Sequence, residues 1–133
     1  MAYQKKYEAY KTNAVTTASG GELTLMLYNG CIKFIKKAML DLNEGNFEAK
    51  NTSIQKAQDI IQELMLTLDK NVAISNEMLP IYDYILYCLR EGNIKNDESK
   101  LQEALSFTTE FRDTWKQVLL KTRQNQYEQG ARV

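Results

Sequence analysis

Residues 20–43 read GGELTLMLYNGCIKFIKKAMLDLN, and the fold turns on how that stretch is read. At 100° per residue, Leu23, Leu25, Leu27, Tyr28, Cys31, Ile32, Phe34, Ile35, Met39 and Leu42 cover an arc of roughly 200°. An ordinary surface helix presents an apolar stripe of about 100° or a little more. Asn29, Lys33, Lys36 and Lys37 mark the clearly wet edge. A helix this apolar needs cover on two sides. The rest of the fold is one cover, and a partner is a candidate for the other.

The flanking sequence supplies three more helices. Ser19 stands three residues before Glu22, a capping box that starts the first helix near Gly20, and Gly45 can take the left-handed position that ends it. The second helix is predicted from about Phe47 to Lys70. Its Ile54, Ala57, Ile61, Leu64 and Leu68 alternate threes and fours, the seam of a bundle helix, while Leu66 faces away. The third is predicted from about Glu77 to Glu91, with Asn76 as its cap, Pro80 in the first turn and Gly92 as its stop. Leu79, Ile81, Tyr82, Tyr84, Ile85, Leu86, Tyr87, Cys88 and Leu89 nearly surround its axis, which suggests tyrosines lining a surface groove. Asp97 caps a fourth helix that runs to about Lys121, with Leu101, Ala104, Leu105, Thr108, Phe111, Trp115, Val118 and Leu119 on one arc of about 160°. Short links between long helices favour antiparallel neighbours, so the expected fold is all-α, an antiparallel up-down four-helix bundle. Residues 19–123 form that bundle in a single domain. The polar, aperiodic residues 124–133 read as a disordered tail. Ahead of the bundle, Tyr3, Tyr7, Tyr10 and Ala14 fall within about 60° of one another on a wheel, so residues 1–18 read as a short helical cap, either fixed or displaceable.

Composition narrows the chemistry. With 17 basic and 17 acidic residues among 133, no global field draws the chain to nucleic acid or to an anionic membrane. No run approaches the roughly 18 apolar residues of a membrane span, and the N-terminus lacks the apolar core of a signal peptide, so the expected compartment is the cytosol. The chain contains no histidine, which removes the commonest general base and the usual transition-metal ligand. There is no phosphate-cradling glycine loop and no nucleophilic triad, so neither enzyme activity nor a cofactor or metal is expected. Cys31 and Cys88 lack metal or redox spacing and read as free buried thiols. Asp59 and Glu63 avoid the apolar seam and read as a solvated face. Arg112, three residues before Trp115, is expected to rest its stem on the ring and send its head to a carboxylate, with anion binding as the alternative. The strip of Lys33, Lys36 and Lys37 lacks the interleaved aromatics of a nucleic-acid surface.

Several motifs then stand in a telling order. Tyr7-Glu8-Ala9-Tyr10 is followed by Glu22-Leu23-Thr24-Leu25-Met26-Leu27-Tyr28-Asn29-Gly30 and by Lys56-Ala57-Gln58-Asp59-Ile60-Ile61-Gln62-Glu63-Leu64. Tyr82-Asp83-Tyr84, Asn93-Ile94-Lys95-Asn96-Asp97 and Arg112-Asp113-Thr114-Trp115 complete the set. Together they resemble the FliS family, cytosolic export chaperones of bacterial flagellin, over nearly the whole chain. Gly20 stands where the family often has proline and Asn29 where it often has aspartate, which leaves the local partner of Asn29 open. The resemblance implies an antiparallel helical bundle that holds the disordered C-terminal segment of new flagellin, prevents premature polymerisation and keeps the subunit competent for the flagellar export apparatus. It also implies an N-terminal segment that occupies part of the groove when no client is bound. Wheel geometry and motif matches nominate Tyr7, Tyr10, Leu23, Leu27, Tyr28, Ile32, Ile54, Ala57, Ile61, Leu64, Leu68, Tyr82, Tyr84, Leu86, Asn93 and Trp115 as partner contacts. The expected free form is a monomer with weak self-association. The alternative is a self-associating structural or regulatory bundle with no flagellin client.

Overall fold

A computed structural model describes the backbone of residues 20–68 and 73–131, with side chains for 20–68 and 75–125. Four helices fill it: α1 (Gly20–Asn43), α2 (Phe47–Thr67), α3 (Ala73–Ile94) and α4 (Glu98–Ala131). Each packs on its neighbours in chain order, and α4 closes back on α1, so the helices stand at the corners of a square. Their directions alternate. Asn43 bonds to Glu98 at one end of the α1–α4 seam, and Gly21 bonds to Trp115 at the other. The architecture is an all-α four-helix bundle.

Local chemistry sets the turns. At the end of α1, Gly45 takes a φ of 75° and donates its N–H to Leu42 O, while the Asn46 N–H reaches back to Asp41 O at 2.8 Å. That pair of bonds is a Schellman closure, which satisfies carbonyls the helix leaves open. The Asn46 side chain then accepts from the Ala49 N–H and caps α2. The α3–α4 link repeats the device with asparagine. Asn96 adopts a φ of 49°, Asp97 N–H bonds to Gly92 O, and the Asp97 carboxylate accepts from both the backbone and the hydroxyl of Ser99.

Four boundaries differ from the sequence reading. The third helix begins at Ala73, so Asn76 is not its cap and Pro80 lies inside it. Pro80 is exposed, where a missing N–H and a slight bend cost the core nothing. Gly92 does not stop α3, which continues to Ile94. A Cβ at Gly92 would stand 2.5 Å from Leu101 Cδ2 and 3.3 Å from the Asp97 carbonyl, so this glycine admits α4 at close range. The fourth helix continues to Ala131, well past Lys121. At the other boundary, α2 stops at Thr67 because Leu68 is already extended.

The core draws on all four helices, with Ile35, Ile54, Ile61, Leu64, Ile85, Leu89, Leu101 and Ala104 at 1% exposure or less. Burying a side chain of the leucine or isoleucine class is worth about 1.5–3 kcal/mol. The broad arc of α1 is absorbed there. Leu27, Tyr28, Cys31, Ile32 and Ile35 are buried, and Leu23, Leu25, Phe34, Met39 and Leu42 are half-buried. Flanked by α2 on one side and α4 on the other, α1 finds both covers within the bundle.

Candidate functional site

The residues nominated from sequence divide by depth. Leu27, Tyr28, Ile32, Ile54, Ala57, Ile61, Leu64 and Tyr82 lie in the core at 5% exposure or less. The 3–4 spacing of Ile54, Ala57, Ile61 and Leu64 is that of an inward seam, and these four share one core cluster with Leu27, Tyr28 and Tyr82. Leu23, Leu68, Leu86, Asn93 and Trp115 are half-buried, and Tyr84 is exposed. Tyr7 and Tyr10 lie outside the described residues.

In the middle of the core, the hydroxyls of Tyr28 and Tyr82 meet at 2.5 Å across the bundle, with the Phe111 ring 6.3 Å and 5.3 Å from theirs. Burial pushes both phenols above their usual range. Burial likewise pushes the Cys31 thiol up to about 12, so it is a structural group that donates to Ala57 O. Cys31 and Cys88 are both free and buried. Among the described residues no group of acidic or cysteine side chains stands close enough to hold a metal ion.

Accessible apolar surface is found elsewhere. On the outer face of α3, Tyr84 and Tyr87 are 37% and 44% exposed, and Tyr84 packs edge-on against Phe107 of α4. Lys100 lies over both tyrosine rings, at 5.9 Å and 5.7 Å from their centroids, and bonds to Glu103, which also accepts from the Tyr84 hydroxyl at 2.9 Å. Those two donors, Lys100 foremost, hold the Glu103 carboxyl below the usual carboxylate range. The sequence reading named Tyr84 as a contact and set Tyr87 beside it among the tyrosines of the third helix, but missed their companions on α4. Tyr87 was legible, three residues on and hence on the same face. Lys100, Glu103 and Phe107 come from another helix and were not.

The α2–α3 seam supplies a second strip. Met65, Leu68 and Leu86 rest against the core yet stay partly open, and Leu66 beside them is 81% exposed. At one pole of this seam the Asn93 amide donates to Asn51 Oδ1 at 2.6 Å. Next to it Lys50, only 4% exposed, sends its ammonium to Asn93 O at 2.9 Å and to the Asn96 side chain. Lys50 had a sequence signal that went unread. It precedes Ile54 by four residues and so extends the seam register of Ile54, Ala57, Ile61, Leu64 and Leu68.

The α1–α4 side is closed by polar contacts. Trp115 Nε1 donates to Gly21 O at 2.8 Å, and Arg123 pairs with Glu22. Arg112 donates to Asp113 at 2.9 Å and to Asn29 Oδ1 at 3.3 Å, so Asn29 finds its local partner in Arg112. Lys37 pairs with Asp41 at 2.8 Å. Among the described residues no helix is long and apolar enough to cross a membrane.

Comparison with known proteins agrees with this architecture. A family model described as "Flagellar protein FliS" matches residues 3–122. The chain is 47% identical over 131 residues to a protein of Bacillus subtilis (strain 168) named "Flagellar secretion chaperone FliS", covering 98% of each. A protein of the same name from Escherichia coli (strain K12) is 30% identical over 111 residues, covering 81% of this chain and 82% of that one. A solved structure described as "Crystal structure of flagellar chaperone from bacteria" superposes with a TM-score of 0.71 at 18% identity, over 89% of this chain and 98% of that one, and so shares the fold.

Proposed function

The chain belongs to the FliS family of flagellar secretion chaperones, and from that premise we propose that it binds the disordered C-terminal segment of flagellin along the α2–α3 side of its bundle. Holding that segment keeps flagellin from polymerising in the cytosol and delivers it to the flagellar export apparatus. The protein acts by binding and not by catalysis. One observation carries the reading: Met65, Leu68 and Leu86 are anchored on the core and only partly covered, with exposed Tyr84 and Tyr87 on the adjoining face of α3. Such side chains are held rigidly by their inner half and offer the outer half to a ligand. Helix-in-groove recognition needs that geometry.

A disordered client loses about 2–5 kcal/mol of its gross interaction energy in becoming ordered. Large apolar contact must offset that loss, and a platform that is already folded adds little further cost. We further propose that residues 1–18, which lie outside the described residues, compete with the client for part of that surface. The test is titration with a flagellin C-terminal peptide, followed through Trp115 fluorescence and light scattering. A monomer whose mass rises by one peptide, with affinity reduced by Leu86→Glu, supports the proposal. A chain that ignores the peptide and instead associates with itself refutes it in favour of a structural bundle.

A further inference from the structure

Two pairs of side chains, each spaced by one helical turn, meet across the outside of the α3–α4 seam: Tyr84 and Tyr87 on α3, Lys100 and Glu103 on α4. Glu103 divides its carboxylate between the two helices. Its Oε1 accepts from the Tyr84 hydroxyl at 2.9 Å, and its Oε2 accepts from the Lys100 ammonium at 3.0 Å. That ammonium lies over both tyrosine rings, whose centroids are 5.9 Å apart, and the Tyr84 ring meets Phe107 edge-on at 5.7 Å. Tyr84 is thus held at its hydroxyl, its face and its edge. Tyr87 is held by the same cation and by its neighbour's ring.

The fold gains little from this cluster. All four side chains reach water, and an exposed ion pair or cation–π contact adds little to stability. What the contacts do is take freedom from two aromatic rings that stay open to solvent with every contact made. A side chain that must be immobilised when a ligand arrives lowers affinity, and one immobilised beforehand does not. Tyrosine suits such fixing, because a ring set by two torsions offers a large amphipathic contact.

We infer that Glu103 and Lys100 are positioning residues for the client site: through the shared carboxylate and the overlying ammonium they set the rings of Tyr84 and Tyr87 in the pose that the client meets. The inference rests on the flagellin reading above and deepens it, since it gives two charged residues of α4 a share in the affinity of tyrosines on α3.

The experiment is calorimetric titration of a synthetic flagellin C-terminal peptide into the full chain and its variants, with a thermal melt of each. Glu103→Ala frees both rings and should weaken binding about tenfold, the combined cost of ordering two side chains on association. Glu103→Gln keeps an acceptor for the Tyr84 hydroxyl and should recover most of that loss. Lys100→Met keeps the stem without the charge and should weaken binding about threefold. The melts should stay within about 1–2 °C of the unaltered chain. In a Tyr84→Ala/Tyr87→Ala background there are no rings to place, so Glu103→Ala and Lys100→Met should have no further effect. Losses of full size in that background would make Glu103 and Lys100 direct contacts and overturn the positioning role. Unchanged affinity in Glu103→Ala overturns it too, as does a loss of affinity that tracks a lowered melting temperature. If the background itself binds as tightly as the unaltered chain, the tyrosines are not contacts; the inference falls and the flagellin reading stands on the α2–α3 strip. Should the background not fold, Tyr84→Phe takes its place. Without the hydroxyl, the advantage of Glu103→Gln over Glu103→Ala should vanish, and its persistence overturns the inference. Failure of the unaltered chain to bind the peptide overturns the flagellin reading itself.

Discussion

Removing one hydroxyl from the Tyr28–Tyr82 pair should cost more than removing both. The two side chains are 2% and 1% exposed, and each hydroxyl has the other as partner. Tyr82→Phe leaves the Tyr28 hydroxyl in an apolar setting without a bond, at a cost of about 1–3 kcal/mol. Tyr28→Phe does the same to Tyr82. The double variant removes both the bond and the need for it, so it should be nearly as stable as the unaltered chain. Taking 2 kcal/mol as a central figure for each single change, and about 3–5 °C per kcal/mol for a chain of this size, each single variant melts about 6–10 °C lower. Urea unfolding followed by circular dichroism and Trp115 fluorescence gives the four free energies of the cycle. With the double variant near zero, the coupling should be about 4 kcal/mol in magnitude. Single changes that simply add would refute the account, because they would mean that water or another group satisfies the stranded hydroxyl. Alkali offers a second readout. Both phenols have folded-state pKa values raised by burial, so their share of stability is complete below the unfolded value near 10 and is lost as pH climbs through the folded one. The double variant lacks that alkaline loss.

Gly92→Ala should destabilise by about 1–3 kcal/mol in a thermal melt, since the new methyl meets Leu101 Cγ at 2.8 Å and a backbone oxygen at 3.3 Å. The gain in helix propensity, about 1 kcal/mol, does not cover it; a stabilised variant would show that Leu101 moves aside freely. Asp97 has its carboxyl held below the usual range by the Ser99 hydroxyl, so its contribution is present above the unfolded value of 3.8 and disappears as pH falls through the lower folded one. Acid titration of Asp97→Asn should therefore give a flatter loss of stability below pH 4 than the unaltered chain, and identical curves would contradict the cap assignment. Deleting residues 1–16 should tighten flagellin-peptide binding or leave it unchanged, because a competing segment lowers apparent affinity by the fraction of time it covers the groove. A large loss of affinity would make those residues direct client contacts.

The sequence is most legible where the code is local. Gly45 and Asp97 close and open helices through bonds to residues no more than five positions away, and both sit where the sequence places them. Gly92 was misread because its role belongs to Leu101 on another helix, while the turn it seemed to announce is made by Asn96. Pro80 misplaced the start of α3 for a related reason: proline in an exposed stretch of helix looks the same in sequence as proline in a first turn. The site was harder still. A helical wheel shows which side chains avoid water and says nothing of what covers them. Leu27, Tyr28 and Ile32 of the first helix therefore looked like surplus surface and proved to be core, alongside the seam of Ile54, Ala57, Ile61 and Leu64. The patch built by Tyr84, Lys100, Glu103 and Phe107 needs two helices in register, which no single wheel contains.

Polar contacts between helices also give this bundle, with its open apolar flanks, one defined packing. Apolar cores of the right volume fold readily but can be loose, and uniqueness comes from specific complementarity. Here the specific contacts sit at three levels: Trp115 to Gly21 O near one end, Tyr28 to Tyr82 in the middle, and Lys50 to the α3–α4 turn at the other end. Each joins segments that are distant in sequence, and each would lose a buried or part-buried bond if one helix slid by a residue. The register of all four helices is thereby fixed before any ligand arrives. Under the proposed function that rigidity favours binding, since every degree of freedom the bundle lacks is one it need not surrender. The half-covered side chains of α2 and α3 can then remain open without letting the bundle collapse around them.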